Sequence, residues 1–183
     1  MKNPIKLIAA AFMAAALFFT TNVKAQTVDK SAWRFGVGVE GLLPTGNLHN
    51  LSNIGLGGTA RVQYGVSSNL ALMLTSGYYN YFGKAIGDGT DTKYPSFGLV
   101  PLKAGAKVFV DGGFYFSGEV GAGFETRDVY ADNNGNKDTK LLLSPGLGWA
   151  NKSWDVGARY ENFSGQSNNY GTVALRVAYG FAL

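Results

Sequence analysis

From Ala32 onward, apolar and polar positions alternate with a period of two, the spacing of β-strands rather than helices. Eight segments carry the pattern. In the first, Trp33, Phe35, Val37, Val39 and Leu43 oppose Arg34, Gly36, Gly38 and Glu40. The second, near Leu56–Val66, sets Ala60, Val62 and Tyr64 against Thr59, Arg61 and Gln63. The third, near Leu70–Phe82, aligns Leu70, Leu72, Leu74, Tyr78 and Phe82. The fourth, Phe97–Val110, settles after Pro101 into Leu102, Ala104, Ala106 and Val108 against Lys103 and Lys107. Pro101, lacking an N–H, predicts a bulge or a break in the ladder. The fifth, Phe114–Arg127, alternates Phe114, Phe116, Val120 and Phe124 with Ser117, Glu119, Glu125 and Arg127. The last three are Lys140–Ala150, Trp154–Phe163 and Tyr170–Leu183. Each segment has the ten or so residues that a tilted strand needs to cross a bilayer.

The connections alternate too. Ser67–Asn69, Asp111–Gly113 and Asn151–Ser153 are tight, whereas Pro44–Gly55, Gly83–Pro95, Asp128–Thr139 and Ser164–Asn169 are longer and polar. Short turns at one end and long loops at the other is the layout of an outer-membrane barrel. A soluble sandwich or lipocalin-like barrel also alternates, but it turns its charges outward. Here one face is nearly free of charge over eight strands. Arg61, Lys107, Arg159 and Arg176 facing lipid would cost about 2–4 kcal/mol each near the midplane, so the charged face must be the lumen. Aromatics reinforce this orientation. Trp33, Tyr64, Phe114, Phe116, Trp149, Trp154, Tyr179 and Phe181 fall at the short-turn end, and Tyr78, Phe82, Phe97, Tyr160 and Tyr170 at the long-loop end. Two such belts are what amphipathic rings form at the two membrane interfaces.

Residues 1–25 read differently. A basic start, the unbroken apolar run Leu7–Phe19, and Val23 and Ala25 at the −3 and −1 positions make a secretory leader cleaved between Ala25 and Gln26. The expected layout is a leader at 1–25, a short periplasmic tail at 26–31 and the barrel at 32–183. Composition agrees: 26 glycines and 14% aromatics fit neither a disordered nor a helical chain. Three of the 16 Lys+Arg and none of the 12 acids fall in the leader, so the rest is within one charge of neutral. That excludes nucleic acid as a partner, because phosphate binding needs a concentrated basic face. With no Cys, disulfides and thiolate metal sites are excluded.

The alternation, the interior glycines such as Gly36, Gly38, Gly121 and Gly123, and the closing strand VALRVAYGFAL resemble the small eight-stranded outer-membrane barrels of the OmpA/OmpX type. The resemblance covers roughly Ala32 to Leu183. It implies an antiparallel, up-and-down, all-β transmembrane barrel in the outer membrane of a Gram-negative bacterium. Both termini would be periplasmic, with lipid and lipopolysaccharide around a monomeric wall. It also implies a C-terminal strand read by the barrel-assembly machinery, although the terminal aromatic, Phe181, sits two residues early. The peptidoglycan-binding domain that follows the barrel in OmpA is not carried over.

Four features bear on chemistry. Gly36–Gly41 matches a dinucleotide fingerprint in spelling, but no helix can open at Leu42-Leu43-Pro44, so strand glycines are expected and no cofactor. Asp132–Asp138 resembles the start of a calcium loop, yet Lys137 stands where Gly is required, and no metal is expected. His49 is the single histidine, in the first long loop; a lipid A-modifying enzyme would need it beside a serine and an acid. The strongest feature is the luminal set of Arg34, Arg61, Lys103, Lys107, Arg127, Arg159 and Arg176 against Glu40, Glu119, Glu125, Asp155 and Glu161. An eight-stranded interior is just wide enough for side chains, so these charges are expected to pair into a plug. The expected role is non-enzymatic, structural or surface-interacting through the loops. A narrow anion-preferring pore and a His49 enzyme are the alternatives.

Overall fold

A computed structural model describes residues 30–86, 92–127, 137–165 and 168–183. Eight strands run β1 (Trp33–Gly46), β2 (Ser52–Gly65), β3 (Leu70–Gly83), β4 (Phe97–Phe109), β5 (Phe114–Glu125), β6 (Thr139–Ala150), β7 (Trp154–Ser164) and β8 (Tyr170–Ala182). Each pairs antiparallel with its chain neighbours, and β1 pairs with β8 to close the barrel. Closure leaves no free strand edge.

The wall follows from the alternation. All twelve charged residues within the strands point inward and are buried or half-buried. The outward positions are large and apolar, among them Val39, Leu56, Leu74, Leu102, Val120, Leu147 and Leu175. In water such a surface would be an unstable exposed apolar patch; around a closed barrel it is the band that lipid covers. Aromatic rings flank it at the short-turn end, where Trp33 packs on Tyr64 at 4.8 Å and Trp154 on Tyr179 at 5.3 Å. At the other end Tyr78 folds over Gly98 and Tyr160 over Gly171, where any Cβ would collide with the ring.

The tight turns lie where expected. The β4–β5 turn requires its glycines, since Gly112 and Gly113 have φ of +61° and +86°. Two expectations need correction. Pro44–Gly55 is not a long loop: Pro44, Thr45 and Gly46 stay paired with Thr172, Gly171 and Tyr170 of β8. One 3-10 turn, η1 (Asn47–Asn50), then bridges to β2. The connection after β3 is long, as expected, and in it Ala85 is bridged to Lys93 and the Tyr94 N–H is bonded to the Lys84 carbonyl. Phe97 and Tyr170 do not belong to the outer belt. Both are buried inside, because their strand parity matches Leu99 and Thr172 rather than the outward set.

Pro101 does break a ladder, without a bulge. Its β5 partners stay in register, but pairing to β3 lapses between Ser76–Leu102 and Tyr79–Leu99. Pro145 does the same between β6 and β7. A missing N–H opens one side only. The leader, its cleavage site at Ala25 and Gln26, and Asp132–Asn136 of the calcium-like segment lie outside the described residues.

Candidate functional site

The lumen is filled in three tiers. At the long-loop end, Leu42, Leu48, Tyr79, Tyr81, Phe97, Leu99, Leu142, Phe163, Tyr170 and Ala174 form one buried apolar cluster. Tyr81 stacks on Phe97 at 4.8 Å, and Phe163 on Tyr170 at 5.0 Å. At the short-turn end, Ala71, Phe109, Tyr115 and Ala150 make a smaller one. The charges lie between them.

In this middle tier the ion pairs close on themselves. Arg61 reaches Glu119 at 3.3 Å, Glu119 reaches Lys103 at 3.6 Å, and Lys103 bonds Glu161. Glu161 takes Arg159 at 2.8 Å, and Arg159 takes Glu40 at 2.6 Å. Glu40 meets Arg176 at 3.4 Å, Arg176 meets Asp155 at 3.5 Å, and Asp155 returns to Arg61 at 3.5 Å. Four cations and four anions thus alternate round a ring drawn from β1, β2, β4, β5, β7 and β8. Strand β3 joins through Thr75, which accepts from Arg61 Nε at 2.8 Å and donates to Glu119 at 2.7 Å. Lys107 is a ninth member, bonded to Asp155 outside the circuit. Its ammonium lies 4.1 Å from the centre of the Tyr115 ring, which adds a cation–π contact.

Hydroxyls fill the coordination that the charges leave. Thr59 donates to Glu40 at 2.7 Å, Tyr79 to Glu161 at 3.1 Å and Tyr115 to Asp155 at 2.6 Å. A buried charge is tolerable only with such partners. Three buried atoms have none among the described residues: Ser144 Oγ, Glu161 Oε2 and Arg176 Nη2.

The expected luminal set is therefore redistributed. Glu40, Arg61, Lys103, Lys107, Glu119, Asp155, Arg159, Glu161 and Arg176 come together. Glu125 lies inside but one tier up, accepting from Tyr170 at 2.6 Å. Arg34 stands at the short-turn rim, where its guanidinium donates to the carbonyls of Asn151, at 2.8 Å, and Lys152. Arg127 is not luminal: β5 ends at Glu125, Thr126 turns back to bond Gly98, and Arg127 is left exposed beyond the strand. Sequence reasoning missed Lys140 and Asp138, a buried pair at 2.7 Å in the upper tier. The parity of Lys140 with Leu142 and Ser144 was the available signal.

Gly36–Gly41 lies wholly within β1, so its spelling serves a strand. Asp138 pairs with Lys140. His49 sits exposed on η1, with no hydrogen bond to a serine or an acid among the described residues.

No protein-family model matches the chain, and no curated protein matches it either. Solved structures do. Ail, the attachment invasion locus protein of Yersinia pestis, aligns over 84% of this chain and 100% of its own, with 15% identity and a TM-score of 0.60. The chain has the fold of a small eight-stranded outer-membrane barrel. The N-terminal β-barrel domain of Pseudomonas aeruginosa OprF aligns over 83% of this barrel chain and 98% of its own, at 14% identity and a TM-score of 0.52. The outer membrane protein OprG from the same organism covers 87% and 99%, at 9% identity and a TM-score of 0.50. At such identities what is shared is the fold alone.

Proposed function

We propose that this chain is an integral outer-membrane protein, exported with residues 1–25 as a leader removed after Ala25, whose barrel is a closed plug. Its role is non-enzymatic: it stabilises the membrane or presents a surface at its long-loop end. Lipid and lipopolysaccharide contact its wall, the assembly machinery reads β8, and it works as a monomer. The observation that carries the reading is the closed ring of ion pairs, capped above and below by aromatic clusters. A conducting path would have to part both clusters and the ring. The exposed, unassisted His49 gives the enzyme alternative no support.

Purified protein in planar bilayers tests this. Wild type is expected to show no steady conductance above empty-detergent controls. A stable conductance reproducible across preparations would replace the plug with a pore. Removal of an acyl chain from lipid A, abolished by His49→Ala, would replace it with an enzyme.

A further inference from the structure

We infer that one buried water sits in the wall between β6 and β7, in place of the N–H that Pro145 lacks, and joins β6 to the ring of charges. Three observations converge there. First, the register holds on both sides of Pro145, with Leu143 opposite Asn162 and Gly146 opposite Arg159, yet the two intervening pairs, Ser144–Glu161 and Pro145–Tyr160, drop out of the ladder. Pro145 keeps its pairing to Gly118 of β5, so its open side faces β7. In an antiparallel ladder the Tyr160 carbonyl is the acceptor opposite that missing N–H. Second, Ser144 Oγ and Glu161 Oε2 lie on the luminal side of the same lapse and have no hydrogen-bond partner among the described residues, although Ser144 is 1% exposed and Glu161 0%. Third, among the described residues β6 is the one strand that sends no side-chain hydrogen bond to the ring: Lys140 bonds Asp138 and Gly165, and Trp149 bonds Gly112.

The lapse offers two acceptors, the Tyr160 carbonyl and Glu161 Oε2, and one donor, the Ser144 hydroxyl. Water is their complement, since it donates twice and accepts once. Buried waters typically make about three such bonds. A monovalent cation would also find three oxygens, but Lys103 and Arg159 already answer the Glu161 charge, and a further cation would stand against both. In the hydrocarbon layer no solvent serves a bare carbonyl, so the wall must hold a partner of its own. Strand β3 shows the direct form of the same device, in which the Thr75 hydroxyl accepts from Arg61 and donates to Glu119. Ser144 stands level with that carboxylate, paired with Glu119 of β5. With the water in place, all eight strands are tied to one polar network.

A crystal structure of the detergent-solubilised protein, at a resolution that shows ordered solvent, should place one isolated peak within hydrogen-bonding distance of the Tyr160 carbonyl, Ser144 Oγ and Glu161 Oε2. Crystals soaked in rubidium chloride should give no anomalous signal there; a signal would make the guest a cation and overturn the proposal. Pro145→Ala returns an N–H to the ladder, and the peak should vanish; its persistence would equally overturn the replacement. Urea titration reads the same site by sign. Ser144→Ala should lower the midpoint, because it takes a partner from a bound water, whereas deleting a hydroxyl that had no partner leaves the midpoint unchanged or raises it. No peak in the wild-type map, or a midpoint that does not fall, overturns the proposal. Should either variant fail to fold, the wild-type maps decide alone. None of these outcomes bears on conductance, which tests the plug separately.

Discussion

Glu40 accepts hydrogen bonds from Thr59 and Arg159 and lies 3.4 Å from the Nε of Arg176, which donates to Thr59, so its carboxylate holds two guanidiniums that have little access to water. Replacing it by Gln leaves the shape and removes the charge. Breaking a buried pair in this way costs about 3–5 kcal/mol, because the stranded partner keeps its desolvation penalty. Glu40→Gln should lower the unfolding free energy by that order in urea titrations of the folded barrel, whereas an exposed change such as Lys93→Gln should move it little. At this scale the sequence is legible through parity: a charge on the inward set of a strand is a luminal charge. Parity reads as far as the strand reaches and no further. Arg127 has the inward parity of Glu119 and Glu125, but the strand ends before it. Lys140 is the second residue of its strand, and only its parity with Leu142 and Ser144 further along marks its face.

At the scale of strands, the face assignment is testable at Val120, which is 52% exposed mid-way along β5 and lies between Ala104 and Leu143 of the neighbouring strands. Val120→Arg should oppose folding into liposomes by about 2–4 kcal/mol. Unchanged folding yield would mean that the lipid-facing side has been misassigned. Strand existence and order could be read from alternation and turn residues alone, but strand ends could not. The stretch Pro44–Gly46 looks like a loop because it contains Pro and Gly, yet β8 is long enough to pair with it, and tertiary pairing overrides local composition. Leu48 then drops into the lumen as part of the upper cluster, a position that no local pattern announces.

For the whole molecule, the question is whether the plug can be loosened without unfolding the wall. Glu119 holds Arg61, Lys103 and Thr75 together near mid-strand. Glu119→Ala removes an anion and opens volume in a tier where, among the described residues, the ring and Lys107 set five cations against four anions. In planar bilayers this variant should show rare openings that prefer anions over cations, against a silent wild type. Cation-preferring openings would contradict the charge count of the tier. The overall architecture was readable because it depends on a repeated pattern. The ring was not, since which guanidinium meets which carboxylate depends on strand stagger around the barrel, and stagger leaves no mark in a single strand.

One pair within the ring has a consequence for how the cylinder is sealed. Glu40 and Arg176 stand directly opposite each other on β1 and β8, the strands farthest apart in the chain. Neither can be satisfied by the other until the last strand arrives. A slip of two residues along that seam, the smallest that keeps both faces correct, would set Arg176 against Gly38 or Leu42 and break this contact, leaving Glu40 to Arg159 and Arg176 to Asp155. The pair therefore acts as a key for the final seam.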